Sequence, residues 1–140
     1  VEAYVIGEHG EHQVPVFSRV KVKGRSIEFS RDERERLSEE IRQSALNVIS
    51  KKGGTVYAPA SNTANMIQMI LENSGCKAVC SAILDGEYGL KDLSIGVPVE
   101  LDRSGIKRIV EWRLSDDEME AFLMGAERLK KAIDSLIEKE

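Results

Sequence analysis

The 140-residue chain is 41% hydrophobic and 31% charged, with a formal net charge of -4. That length is one domain, able to bury roughly two thirds of the surface its unfolded chain would expose. The weak acidity leaves no basic footprint for nucleic acid, and no apolar run approaches the ~20 residues that span a bilayer, so neither nucleic acid nor membrane is an expected partner.

The chain opens VEAYVIG, apolar from the start, and reads as a segment of a longer protein that begins at a strand. Residues 3–7 are short, apolar, β-branched and ended by a glycine, which predicts a strand. In 14–29, Val20, Lys21, Val22 and Lys23 alternate, Gly24 turns, and Ile27 and Phe29 resume the pattern, a hairpin signal; Pro15 places the start at an edge or bulge. Ser30 and Glu33 form a capping box that opens a helix. Leu37, Ile41, Ala45, Val48 and Ile49 give it an apolar face, Lys51 and Lys52 suit its C-terminal end, and Gly53 stops it.

A loop rich in glycine and small residues, 53–62, leads into a second helix, with Pro59 at its start and Gly75 past its end. Only Asn62, Asn65 and Gln68 make a polar strip on it, which predicts burial by neighbours on several sides. Residues 77–84 read as a strand, 85–90 as a turn, and 93–101 and 106–114 as two strands joined by a hairpin at DRSG. Ser115 and Glu118 form a second capping box, opening a long helix striped by Met119, Phe122, Ala126, Leu129, Ile133 and Leu136. Strands linked by hairpins, with helices that do not alternate with them, give an α+β class: antiparallel hairpins packed with long helices.

Cys76 and Cys80 lie four positions apart, roughly 13 Å on an extended strand, too far for a disulfide. Two cysteines also fall short of a structural zinc site, so they read as reduced thiols in the core of a cytoplasmic protein. The chain carries no Walker loop and no GxGxxG after a strand, hence no nucleotide site of its own.

Chemistry concentrates in IGEHGEHQVPVFS, residues 6–18, which holds both histidines, His9 and His12, beside Glu8 and Glu11. Three readings compete: a metal site, an acid/base site, or a surface turn. Against metal, Gly10 breaks any helix there, and the zinc-protease pattern needs a glutamate directly after the first histidine and three residues between the two. For acid/base work, a histidine at a strand end between Gly7 and Gly10 is rigidly held, and its charge changes near neutral pH.

VIGEHGEHQVPVFS resembles the active-site histidine segment of the lactate/malate dehydrogenase superfamily, where Gly-Glu-His-Gly-Asp is followed by Val-Pro and an aromatic-Ser pair. KKGGTVYAPA (51–60) resembles that family's substrate loop, ILDGEYGLKDLSIGVPVEL (83–101) its late hairpin, and LSDDEMEAF (114–122) the start of its final helix. The resemblance covers nearly all of the chain. It implies that residues 1–140 form a C-terminal substrate-binding and catalytic domain, with the N-terminal dinucleotide-binding domain absent from this chain.

By the same resemblance, His9 is the proton donor and acceptor for a small 2-oxo or 2-hydroxy acid, Thr55 touches the substrate, and Pro59 packs near the nicotinamide of NAD or NADP. The aspartate that orients the histidine and the arginine that clamps the substrate carboxylate would come from a helix upstream of Val1; Arg19 and Arg25 do not match the clamp. YAP at 57–59 leans towards malate dehydrogenases of the lactate-dehydrogenase-like type found in archaea and bacteria, with lactate dehydrogenase as the alternative. The family implies a homodimer or homotetramer, and a non-catalytic assembly domain is the further alternative for this segment alone. Glu11 departs from the family's aspartate, and His12, in place of a small residue, is expected to face solvent. No residue is expected to bind metal.

Overall fold

A computed structural model describes residues 1–73 and 75–137. Among them, β1 (Val5–Gly7), β2 (Gln13–Pro15), β5 (Lys77–Asp85), β6 (Lys91–Asp102) and β7 (Gly105–Ile109) form one antiparallel sheet around the long β6. β5 runs along one side of β6; β1 and β7 share the other, and β2 lies outside β1. Pro15 therefore sits on an edge strand, where its missing N–H costs no ladder bond.

A separate small hairpin pairs β3 (Lys21–Val22) with β4 (Arg25–Ser26). Lys23 and Gly24 both have positive φ in its two-residue turn, which suits the twist of the flanking strands. The predicted continuation through Ile27 and Phe29 stops early. Ile27 donates one further bond to Val20, and Phe29 then leaves the pairing to stack on Phe17.

Three helices complete the fold: α1 (Arg31–Lys52), α2 (Tyr57–Glu72) and α3 (Asp116–Ile137). Both capping boxes form as the sequence predicts. Ser30 accepts from the Glu33 N–H while the Glu33 carboxylate accepts from Ser30, and the Ser115–Glu118 pair does the same at α3. Gly53 ends α1 in the left-handed conformation. Pro59 lies in the first turn of α2, behind Tyr57, where a missing N–H is tolerated.

The core forms between the sheet and α3. Leu93, Ile95, Val97, Val99 and Leu101 alternate inward along β6, and Phe122 and Ala126 of α3 meet that side of the sheet fully buried. β7 is shorter than the predicted 106–114 strand. The Val110 N–H still donates to Pro98, but the Trp112 N–H turns away to the Tyr88 hydroxyl, 2.8 Å off. Burial pushes the Tyr88 phenol up, and its backbone, at φ 53, is pinned where its N–H donates to Glu111.

Neither α1 nor α2 buries a single residue completely, contrary to the burial predicted for α2. Met66, Met69 and Ile70 of α2 reach the core, whereas Ile67 and Leu71 stay 52% and 65% exposed. On α1, Val48 and Ile49 of the predicted apolar face are exposed too. Their sequence patterns are real, but among the described residues nothing covers Val48, Ile49, Ile67 and Leu71. Cys80 packs against the core, where burial pushes its thiol up.

Candidate active site

β1 and β2 pair in the register Val5↔Pro15, Ile6↔Val14 and Gly7↔Gln13, so residues 8–12 are the connection between two paired strands. His9 stands on that connection, exposed, two residues beyond the strand end. Gly7 has φ 91, a backbone shape side chains rarely adopt, and this turns the chain out of β1 towards His9. Gly7 also pairs with Gly96 of β6, and a Cβ on Gly96 would lie 2.8 Å from the Gly7 carbonyl oxygen.

The turn is closed internally. The His12 N–H donates to Glu8 Oε2 at 2.9 Å, and the Gly10 N–H to the Glu8 carbonyl at 3.2 Å. A side chain on Gly10 would overlap the Glu8 carboxylate. His12 is half-buried rather than solvent-facing, because its main chain and Cβ sit against Gly125 of α3.

α3 supports this hairpin with residues spaced along one face. Phe122 lies under Gly7 and Gly125 lies against His12. Glu118, one turn earlier, accepts from the Ser18 N–H at 2.8 Å and from the Ser18 hydroxyl at 2.6 Å, beyond β2. Burial pushes the Glu118 carboxyl up, but the hydrogen bonds from Ser18 and Ser115 outweigh it and hold the group below its ordinary range.

An open groove of about 770 Å³ runs beside the turn. Residues 9–13 form one wall; Glu39 and residues 41–46 of α1 form the other. Arg42 lines this groove, and its guanidinium is held by Glu39 at 3.0 Å. The hydrogen bonds that Gln43 and Arg42 give Glu39 keep its carboxyl low. The groove thus brings His9 and the Glu39–Arg42 pair onto one space large enough for a small organic acid.

Thr55 and Pro59 are exposed at the α1–α2 junction and do not line the groove with His9. Arg42 and Gly125 escaped sequence reasoning, and so did the bracing role of Glu8, which the sequence shows as a carboxylate beside the two histidines. Only Glu8 left a local signal, a carboxylate four residues before the N–H it accepts; the other two reach the turn through tertiary packing. Among the described residues, no group of three or more histidines, cysteines or carboxylates is placed to hold a metal, and no helix is long and apolar enough to cross a membrane.

Every strand pairing is antiparallel, and no glycine-rich turn leads from a strand to a helix N-terminus among the described residues. A parallel strand leading through such a turn into a helix is the arrangement that cradles dinucleotide phosphates elsewhere.

A profile of the family described as lactate/malate dehydrogenase, alpha/beta C-terminal domain, matches residues 1–140. The malate dehydrogenase of Halobacterium salinarum is 46% identical over 136 residues, covering 97% of this chain and 45% of that enzyme. The L-lactate dehydrogenase of Bacillus caldolyticus is 38% identical over 141 residues, covering 95% and 44%. The structure of malate dehydrogenase from Salinibacter ruber superposes with a TM-score of 0.91 at 30% identity, over 99% of this chain and 46% of that one. The chain thus spans less than half the length of the relatives it matches.

Proposed function

Since the chain belongs to the lactate/malate dehydrogenase family as its C-terminal α/β domain, we propose that it is the catalytic half of an NAD(P)-dependent 2-hydroxy acid dehydrogenase, acting on malate and oxaloacetate. The observation that carries this reading is His9, presented at a strand end by a braced turn and opening on a groove that also holds Arg42. In the reductive direction one ring nitrogen of the His9 imidazolium gives a proton to the carbonyl oxygen of the 2-oxo acid; in the oxidative direction the neutral ring takes it back from the hydroxyl. A nicotinamide dinucleotide, when bound, supplies or accepts the hydride at the adjoining carbon.

A dinucleotide-binding domain N-terminal to this chain would hold most of the cofactor. Pro59 would offer an apolar wall to the nicotinamide, and Thr55 a hydroxyl to the substrate. Both stand exposed on the junction between α1 and α2, open to a partner domain. The identity to malate dehydrogenases, 46% against 38% for a lactate dehydrogenase, favours malate over lactate.

The test is made in the full-length protein, following NADH and NADPH oxidation with oxaloacetate and with pyruvate, for wild type and His9→Gln. Oxaloacetate should be the better substrate, and His9→Gln should lower turnover about 10²–10⁴-fold while cofactor binding persists. Wild-type turnover by the variant would refute the role given to His9, and faster pyruvate reduction would reassign the substrate to the lactate side.

The uncovered faces of α1 and α2 favour a second role, assembly into a homodimer or homotetramer. Light scattering of the chain alone addresses it; a monodisperse monomer at high concentration would count against it.

A further inference from the structure

We infer that Glu8 is a positioning residue for His9, closing the 8–12 turn with its carboxylate while Gly125 of α3 provides the seat on which the turn rests. This builds on the reading of His9 as the acid/base.

The imidazole is exposed, so packing around the ring cannot aim it; its direction comes from the backbone that carries it. That backbone is anchored on one side by the Gly7–Gly96 pairing. On the other side, the Glu8 Oε2 atom accepts from the His12 N–H at 2.9 Å, four residues on, and bridges His9. Two glycines keep this bridge in place. A side chain on Gly10 would push the Glu8 carboxylate off, and a Cβ on Gly125 would stand 3.2 Å from the His12 oxygen and 3.6 Å from Glu8 Cβ. The Glu8 side chain therefore lies between the turn it closes and the helix beneath it. Displacement of a catalytic group by about 1 Å can cost 10²-fold in rate, so a brace on five residues of main chain bears on turnover without touching substrate.

The two contacts can be broken independently in the full-length enzyme. Glu8→Ala removes the acceptor. Glu8→Gln keeps a carbonyl oxygen that can accept from the same N–H and loses only the charge. Gly125→Ala pushes on the turn from α3 and changes no charge. Glu8→Ala and Gly125→Ala should each lower kcat about 10- to 100-fold, with the dissociation constant of the nicotinamide cofactor unmoved. The solvent deuterium isotope effect on kcat should rise as proton transfer becomes slower, which a general loss of stability would not produce. Glu8→Gln should return kcat to within a few-fold of wild type.

Wild-type kcat in Glu8→Ala would overturn the brace, and wild-type kcat in Gly125→Ala would overturn the seat. A Glu8→Gln variant as impaired as Glu8→Ala would replace the hydrogen-bonding role by one of charge. His9→Gln, run alongside, separates the levels: if it alone is inactive, the acid/base reading stands and this inference fails; if it is active, the acid/base reading itself fails.

Discussion

Glu118 combines two tasks in one carboxylate. It completes the capping box of α3 with Ser115, and it fixes Ser18 just beyond β2, one hundred positions earlier in the chain. Although the residue is 5% exposed, the hydrogen bonds from Ser18 and Ser115 that hold its carboxyl low make the charged form the stabilising one. A group whose folded pKa is depressed contributes stability above its unfolded value, and loses it as pH falls from there through the folded value. Glu118→Gln, which turns an amide NH₂ towards N–H donors, should therefore cost about 1–3 kcal/mol at neutral pH. In thermal melts the gap to wild type should narrow as pH falls below the ordinary carboxyl value of 4.5; a constant gap would mean that the charge contributes nothing. The cap was legible because it is local, three residues apart. The reach to Ser18 was not, because no short-range pattern encodes a partner brought in by packing. Gly125 escaped for the same reason, whereas Glu8, four residues from the N–H it accepts, was visible beside the histidines and only its bracing role was missed; His9 stood out by residue type and bracketing glycines alone.

At the scale of elements, the β1–β2 hairpin is tied to the sheet where Gly7 and Gly96 meet. The atom a Gly96 side chain would strike is a backbone oxygen, which cannot swing aside as a side-chain tip can. Gly96→Ala should therefore force β1 away from β6, destabilising the fold by about 1–3 kcal/mol. Gly54→Ala is the control: a Cβ there meets nothing within 4 Å, and its melting temperature should stay close to wild type. Equal melting temperatures for the two variants would mean that the sheet absorbs the contact. Most elements were legible, because caps, turns and alternation are written in neighbouring residues. Both capping boxes, the turn at Gly24 and the DRSG hairpin formed where those signals lie. The early end of β7 was not legible, since the Trp112 N–H finds its acceptor on Tyr88, in a different turn.

Across the whole molecule, the division that matters is between the body built of the sheet and the first half of α3, and the two helices α1 and α2. The body, together with the segments that connect its elements, contains every buried apolar side chain among the described residues. α1, by contrast, is 22 residues long and buries none completely, so it is held by its caps, by Arg34, which donates to the Phe29 carbonyl and lies over the Phe17 ring, and by exposed pairs such as Arg31–Glu35 and Arg42–Glu39. Exposed pairs of this kind contribute only about 0.3–0.5 kcal/mol each. A helix held by so few contacts opens locally at low cost, whereas β6, paired on both sides, opens only with the fold. Hydrogen exchange on the chain alone should therefore show fast amides along α1, intermediate ones on the Met66–Ile70 face of α2, and amides on β5 and β6 that exchange only on global unfolding. If a neighbouring domain or a second copy covers the apolar face that Val48 and Ile49 expose here, the α1 amides should slow strongly in the full-length protein. Equal protection of α1 in the two settings would mean that its apolar face has no partner, and that the amphipathic pattern read from its sequence serves only the helix itself.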